Sequence, residues 1–215
     1  MEYKFATREE LSVDEAVQAA ISEVEEYTGW KYLKSQRCLK KKVKDIELSI
    51  DFFTSKWNHS YEYVGINAQF TMVYKKLGKF PVQNTVAVYC FRPKEGNDTY
   101  WFDISSKDKL VSVIDMLKRE IDQTALYFAG RFESDREGAV RELLEKHFDE
   151  YHVKLAFVAA ILGNDAVVQK AHEIYDSLSD EERQQVEDYK NGAQNMAWML
   201  NPSNLKYIID NHLVD

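Results

Sequence analysis

Apolar positions along the chain change their period twice. Val13, Val17, Ala20, Ile21 and Val24 recur at helical spacing. They follow Ser12-Val-Asp-Glu15, a capping-box pattern in which the serine hydroxyl satisfies an early amide while the Glu carboxylate reaches back. Gly29 supplies a left-handed stop, so the chain is expected to open with a helix. From Trp30 the period becomes two. Ile46, Leu48, Ile50 and Phe52 alternate with Glu47, Ser49, Asp51 and Phe53, as in a strand buried on one face. Cys38 to Val43 reads as its hairpin partner across the turn Lys44-Asp45. Ile66 to Tyr74 alternates in the same way, and Thr85–Phe91 and Thr99–Ile104 read as two more strands. The turn-rich loop Arg92 to Asp98 joins those two. Connections of this length favour antiparallel pairing.

After Ser106 the spacing returns to three and four. Leu110, Ile114, Leu117, Ile121 and Ala125 form one stripe of a helix reaching about Gly130. A second helix starts after Ser134 or Asp135, and Val153–Leu162, with Lys154 as its one charge, reads as a central buried helix. Asp165 is expected to cap the next. Ser179-Asp-Glu-Glu182 repeats the capping box and opens a helix towards Leu200, which Asn201-Pro202 ends before a last short helix. The fold class is therefore α+β: an N-terminal helix, an antiparallel sheet of four to five strands, then an all-helical C-terminal half. The organisation is residues 1–130 as helix, sheet and packing helix, with 131–215 as a helical subdomain packed on it, or one continuous domain.

Composition narrows the chemistry. The chain of 215 residues holds 28 aromatic residues (13 Tyr, 11 Phe and 4 Trp) against 3 Pro and 8 Gly, which suits long regular elements around bulky side chains. Cys38 and Cys90 stand far apart, with no CxxC, and read as reduced thiols. No apolar h-region opens the sequence, and the longest apolar run, Leu155–Leu162, is too short to span a bilayer. A cytoplasmic protein without membrane association is expected. The net charge is −8 but uneven: residues 30–57 carry eight positive and three negative charges, while 130–215 carry nine and seventeen. An acidic body disfavours nucleic acid and favours a basic protein partner.

No GxxxxGK[ST], GxGxxG, GxSxG or HExxH occurs, so no phosphate cradle, elbow serine or zincin is announced. His147 and His152 stand five apart and do not share a helical face, which makes them a poor metal pair. No catalytic residue, metal ligand or cofactor is assigned. The basic stretch Lys31, Lys34, Arg37, Lys40, Lys41, Lys42 and Lys44 fits a charged strand that discourages edge pairing better than a nucleic-acid site with Trp30 and Tyr32 as stacking partners. Trp57, Asn58, His59 and Tyr61 form an aromatic, hydrogen-bonding segment at a strand end, which suits a hydrophobic plug closing the hairpin slightly better than a protein-binding surface, and Glu23, Glu25 and Glu26 make the first helix acidic. These seven residues are the candidate partner-binding set.

Gly29-Trp-Lys31, the lysine-rich hairpin after it, and Ile50-Asp-Phe-Phe-Thr-Ser-Lys-Trp-Asn58 together resemble a group of small bacterial proteins of unknown function. Some of those act as immunity proteins in contact-dependent toxin systems. The resemblance covers about the first third of the chain and carries no catalytic residues. It implies a non-enzymatic, immunity-like inhibitor that binds a protein. The alternative is an enzyme or small-ligand binder with a groove between sheet and helices, lined by Tyr74, Tyr89, Trp101 and Trp198. A self-associating helical scaffold, a homo-oligomer, is the third reading.

Overall fold

The computed structural model describes residues 9–78, 84–93, 100–192 and 202–214. Its first helix, α1 (Val13–Thr28), carries the capping box at Ser12 and Glu15 and ends on Gly29 at φ 65°. Only glycine adopts that left-handed backbone without cost. Trp30 is buried directly after it and anchors the turn into the sheet.

Six strands follow: β1 (Lys31–Leu33), β2 (Cys38–Val43), β3 (Ile46–Thr54), β4 (Gly65–Tyr74), β5 (Thr85–Cys90) and β6 (Phe102–Asp103). They pair antiparallel in the order β1-β2-β3-β4-β5, with β6 also on β4. The expected hairpin between β2 and β3 is present, with Lys44 at φ 55° in its turn. β1 escapes the sequence pattern because three residues are too few to show an alternation. The last two strands differ from expectation. β5 and β6 are not hairpin partners: Cys90 pairs with Gln69 and Phe102 with Ile66, so both lie along one edge of β4. They are two parts of one interrupted strand. The segment 94–99 between them lies outside the described residues.

The period-two pattern places Ile46, Leu48, Ile50 and Phe52 against Tyr74, Met72, Phe70 and Ala68 on one fully buried face. Helix α2 (Lys107–Ile121) continues through a π-turn, Asp122–Leu126, into α3 (Tyr127–Ser134), passing Gly130 before it stops. α1 packs beside α2, α3 packs on β2, and the π-turn packs on β3. α4 (Arg136–Lys146) is capped by Asp135, whose carboxylate accepts from the Gly138 amide at 2.9 Å.

The chain then seals the outer edge of β5. Val88 N–H donates to the Tyr151 carbonyl at 2.7 Å and Lys154 N–H to the Val86 carbonyl at 2.9 Å. α5 (Leu155–Leu162) follows; Leu155, Phe157, Val158 and Ala159 are buried, while Ala160 is exposed. Asp165 does not cap the next helix. It lies exposed within a 3-10 turn, Asn164–Val167, ahead of α6 (Val168–Asp176), and no side chain caps either element. α7 (Asp180–Lys190) carries the second capping box and ends at Lys190, short of Leu200. Residues 193–201 lie outside the described residues, and Pro202 opens the last helix, α8 (Pro202–Asp210). Buried Asn204 ties α8 to α5, accepting from Leu155 N–H at 2.9 Å and donating to the Val153 carbonyl at 3.0 Å. One hydrophobic core runs from Leu11 to Val214.

Candidate functional site

The N-terminal end of β4 gathers the exposed aromatics. Asn58 clamps Gly65 with both halves of its amide, accepting from Gly65 N–H at 2.8 Å and donating to its carbonyl at 3.2 Å. That clamp fixes the loop after β3 and leaves its neighbour Trp57 standing out, 69% exposed, with the Lys56 ammonium 5.0 Å from the ring centroid. Phe53 pairs with Asn67, whose side-chain amide donates to the Tyr100 carbonyl at 2.8 Å. The same end therefore presents Phe53 at 45%, Tyr100 at 37% and Trp101 at 39% exposure. The segment ahead of α1 is sewn in beside them: Leu11 N–H donates to Ser105, and Tyr61 N–H to Leu11. Glu9, Glu10, Asp14, Glu62 and Asp108 are exposed on this end.

The seven residues expected to bind a partner divide. Trp57, His59 and Tyr61 are exposed at the aromatic end, and Asn58 serves as its clamp. The glutamates of α1 do not form one acidic patch. Glu23 is 8% exposed and paired with Lys118 of α2 at 3.1 Å. Glu25 accepts from the Tyr32 amide at 3.2 Å, and of these three only Glu26 is exposed. Phe53, Tyr100 and Trp101 were not in the sequence-derived set. Phe53 falls on the polar side of the alternation, where an aromatic is out of place, and that was the available signal.

Comparison with protein-family models, with curated proteins and with solved structures yields no match. The site must be read from its own chemistry.

The face of the sheet opposite the buried one is polar. Cys38, Asp51, Gln69 and Cys90 form one row across β2 to β5. Three strand spacings separate the cysteines by about 14 Å, beyond disulfide reach, and no disulfide joins them. Burial, then the Asp51 charge, pushes the Cys38 thiol up to about 11, which makes it a poor nucleophile.

At the far end of the sheet the basic stretch is organised by carboxylates. Glu47 binds Lys40 at 2.8 Å and Lys75 at 3.1 Å; Asp45 binds Lys76 at 2.8 Å and Arg136 at 3.3 Å. The Lys40 hydrogen bond leads the causes that hold Glu47 below its ordinary value. At Asp45 burial works upward, but Lys76 and Arg136 outweigh it, and the carboxyl is lowered. A cavity of about 570 Å³ lies here beside Tyr74, Lys76 and Arg136, with Asp135 and Glu137 opposing any anion. Trp30 is buried and cannot stack on a base.

The three described residues of the alternative groove, Tyr74, Tyr89 and Trp101, do not converge. Tyr74 is packed edge-on to Phe157, Tyr89 stacks on Tyr151 and donates to Glu120 at 2.7 Å, and Trp101 is at the exposed end. Trp198 lies outside the described residues. Among the described residues no cluster of His, Cys, Asp and Glu is arranged to hold a metal ion, and no helix is long and apolar enough to cross a membrane.

Proposed function

We propose that this chain is a non-enzymatic protein-binding module that docks a basic partner on its aromatic end, as an immunity-type inhibitor docks its toxin. The observation that carries the reading is the exposure of Phe53, Trp57, Tyr100 and Trp101 around one hydrogen-bonded frame. Large aromatics dominate binding energy where a partner can exclude water from them. The frame holds the ends of its loops before any partner arrives, which lowers the ordering cost of association. The surrounding carboxylates favour encounter with a cationic surface. Two cysteines outside any disulfide fit a reducing, cytoplasmic setting.

Affinity capture with two baits, the wild-type chain and Trp57→Ala/Trp101→Ala, tests the proposal. A basic protein retained by the first and lost by the second, with both baits folded to the same extent, supports it. Equal retention by the two baits, or enrichment of no protein by the wild type over the variant, removes it.

A further inference from the structure

The periodicity of α1 places Val13 and Val17 on its inward stripe, yet the sheet does not cover them. Both are half-buried and floor a groove of about 520 Å³ with Ile21 and Tyr32. Polar groups reach this groove from three elements: Asp14 and Gln18 from α1, Lys34 and Arg37 from the turn between β1 and β2, and Thr54 from β3. The volume is that of a small-molecule site, and the walls bring groups of both charges over an apolar floor.

The cationic wall is held in place. Arg37 sits at φ 50°, a left-handed backbone that a non-glycine residue adopts at a cost of about 1 kcal/mol. Three hydrogen bonds hold it there. Its carbonyl accepts from Phe52 N–H at 3.0 Å, its N–H donates to Lys34 at 3.4 Å, and its guanidinium donates to the Thr54 hydroxyl at 3.1 Å. Neither Lys34 nor Arg37 is in an ion pair among the described residues, and the same holds for Lys31, Lys42 and Lys44 of the basic stretch, while Lys40 pairs with Glu47 and Lys41 with Glu133. The carboxylate of Asp14 lies on the helix wall.

We infer that this groove binds a small zwitterion of the α-amino-acid type with an apolar side chain. The carboxylate lies on Arg37 and Lys34, the ammonium faces Asp14, and the side chain rests on Val13, Val17 and Ile21. A guanidinium fork suits a carboxylate head, and the opposing acid discriminates against dianions. The groove does not rest on the protein-binding reading: it holds none of the four exposed aromatics and shares with that end only Asp14.

Titration of the full chain with L-leucine, followed by amide chemical shifts, tests it. The amides of Val17, Ile21, Lys34 and Thr54 are expected to move together and saturate. 4-Methylpentanoate, which lacks the ammonium, and isoamylamine, which lacks the carboxylate, should each bind about tenfold more weakly or worse, the loss of one charge-assisted contact. Arg37→Gly removes the guanidinium while suiting the left-handed backbone, so its unfolding midpoint should match or exceed wild type as its affinity for L-leucine falls about tenfold. Arg37→Lys should keep part of the affinity. No shift at about 10 mM L-leucine, well beyond the range of useful affinity, overturns the inference. So does a half-ligand that equals L-leucine, or undiminished binding by folded Arg37→Gly.

Discussion

A carboxylate taken out of water holds a fold together only through its partner, and at Glu23 that partner is Lys118. Glu23→Lys would set two ammonium groups against each other between α1 and α2. A loss of about 3 kcal/mol is expected in urea unfolding, as when a buried pair is broken. Glu26→Lys, three residues on and exposed, should fall within about 0.5 kcal/mol of wild type. Equal losses at the two positions would contradict this placement. The composition of α1 showed that it was acidic. It did not show which acid turns inward, because Glu23 occupies an inward position of the helix that only packing against α2 reveals. The cysteines separate in the same way. Cys38 is buried, with its thiol pushed up to about 11, and Cys90 is partly exposed. At about pH 8 the folded chain should be alkylated at Cys90 well before Cys38, and the two rates should converge in denaturant. Equal rates in the folded chain would count against the assigned burial.

At the scale of elements, long regular patterns were legible and interrupted ones were not. The alternation in β3 and β4 and both capping boxes stand where the residues put them. In contrast, β5 and β6 look like a hairpin because a turn-rich loop separates two apolar runs, and local sequence does not encode that β4 is a better partner for both. The helix expected to stop near Gly130 runs to Ser134, since tertiary contact outweighs the propensity of one glycine. Asn204 was invisible for a related reason: its two hydrogen bonds reach residues 49 and 51 positions away. Asn204→Ala would strand the Leu155 amide in the core and should cost about 2 kcal/mol, read as a lowered urea midpoint. An unchanged midpoint would show that α8 does not depend on that clamp.

Across the whole molecule, exposed aromatics with carboxylates mark one end of the sheet, and lysines marshalled by Asp45 and Glu47 mark the other. This polarity is not legible along the chain, because Trp57 and Trp101 are brought to one end only by the pairing of β3, β4 and β6. Both carboxyls at the basic end titrate below their ordinary values. Their contribution to stability is therefore complete above the usual carboxylate range, about pH 4, and is lost as pH falls through the lowered values. Unfolding midpoints should be flat from neutral pH down to that range and then drop, and Glu47→Gln should flatten the drop. A drop of the same steepness in the variant would assign it elsewhere.

A partner that binds this chain lands on the aromatic end. Hydrogen exchange of the chain, alone and with the protein it captures, reads this directly. Slower exchange confined to residues 53–63 and 100–103 is the predicted result. Slower exchange on α6 to α8 or at the turn around Lys44, with the aromatic end unaffected, would contradict it.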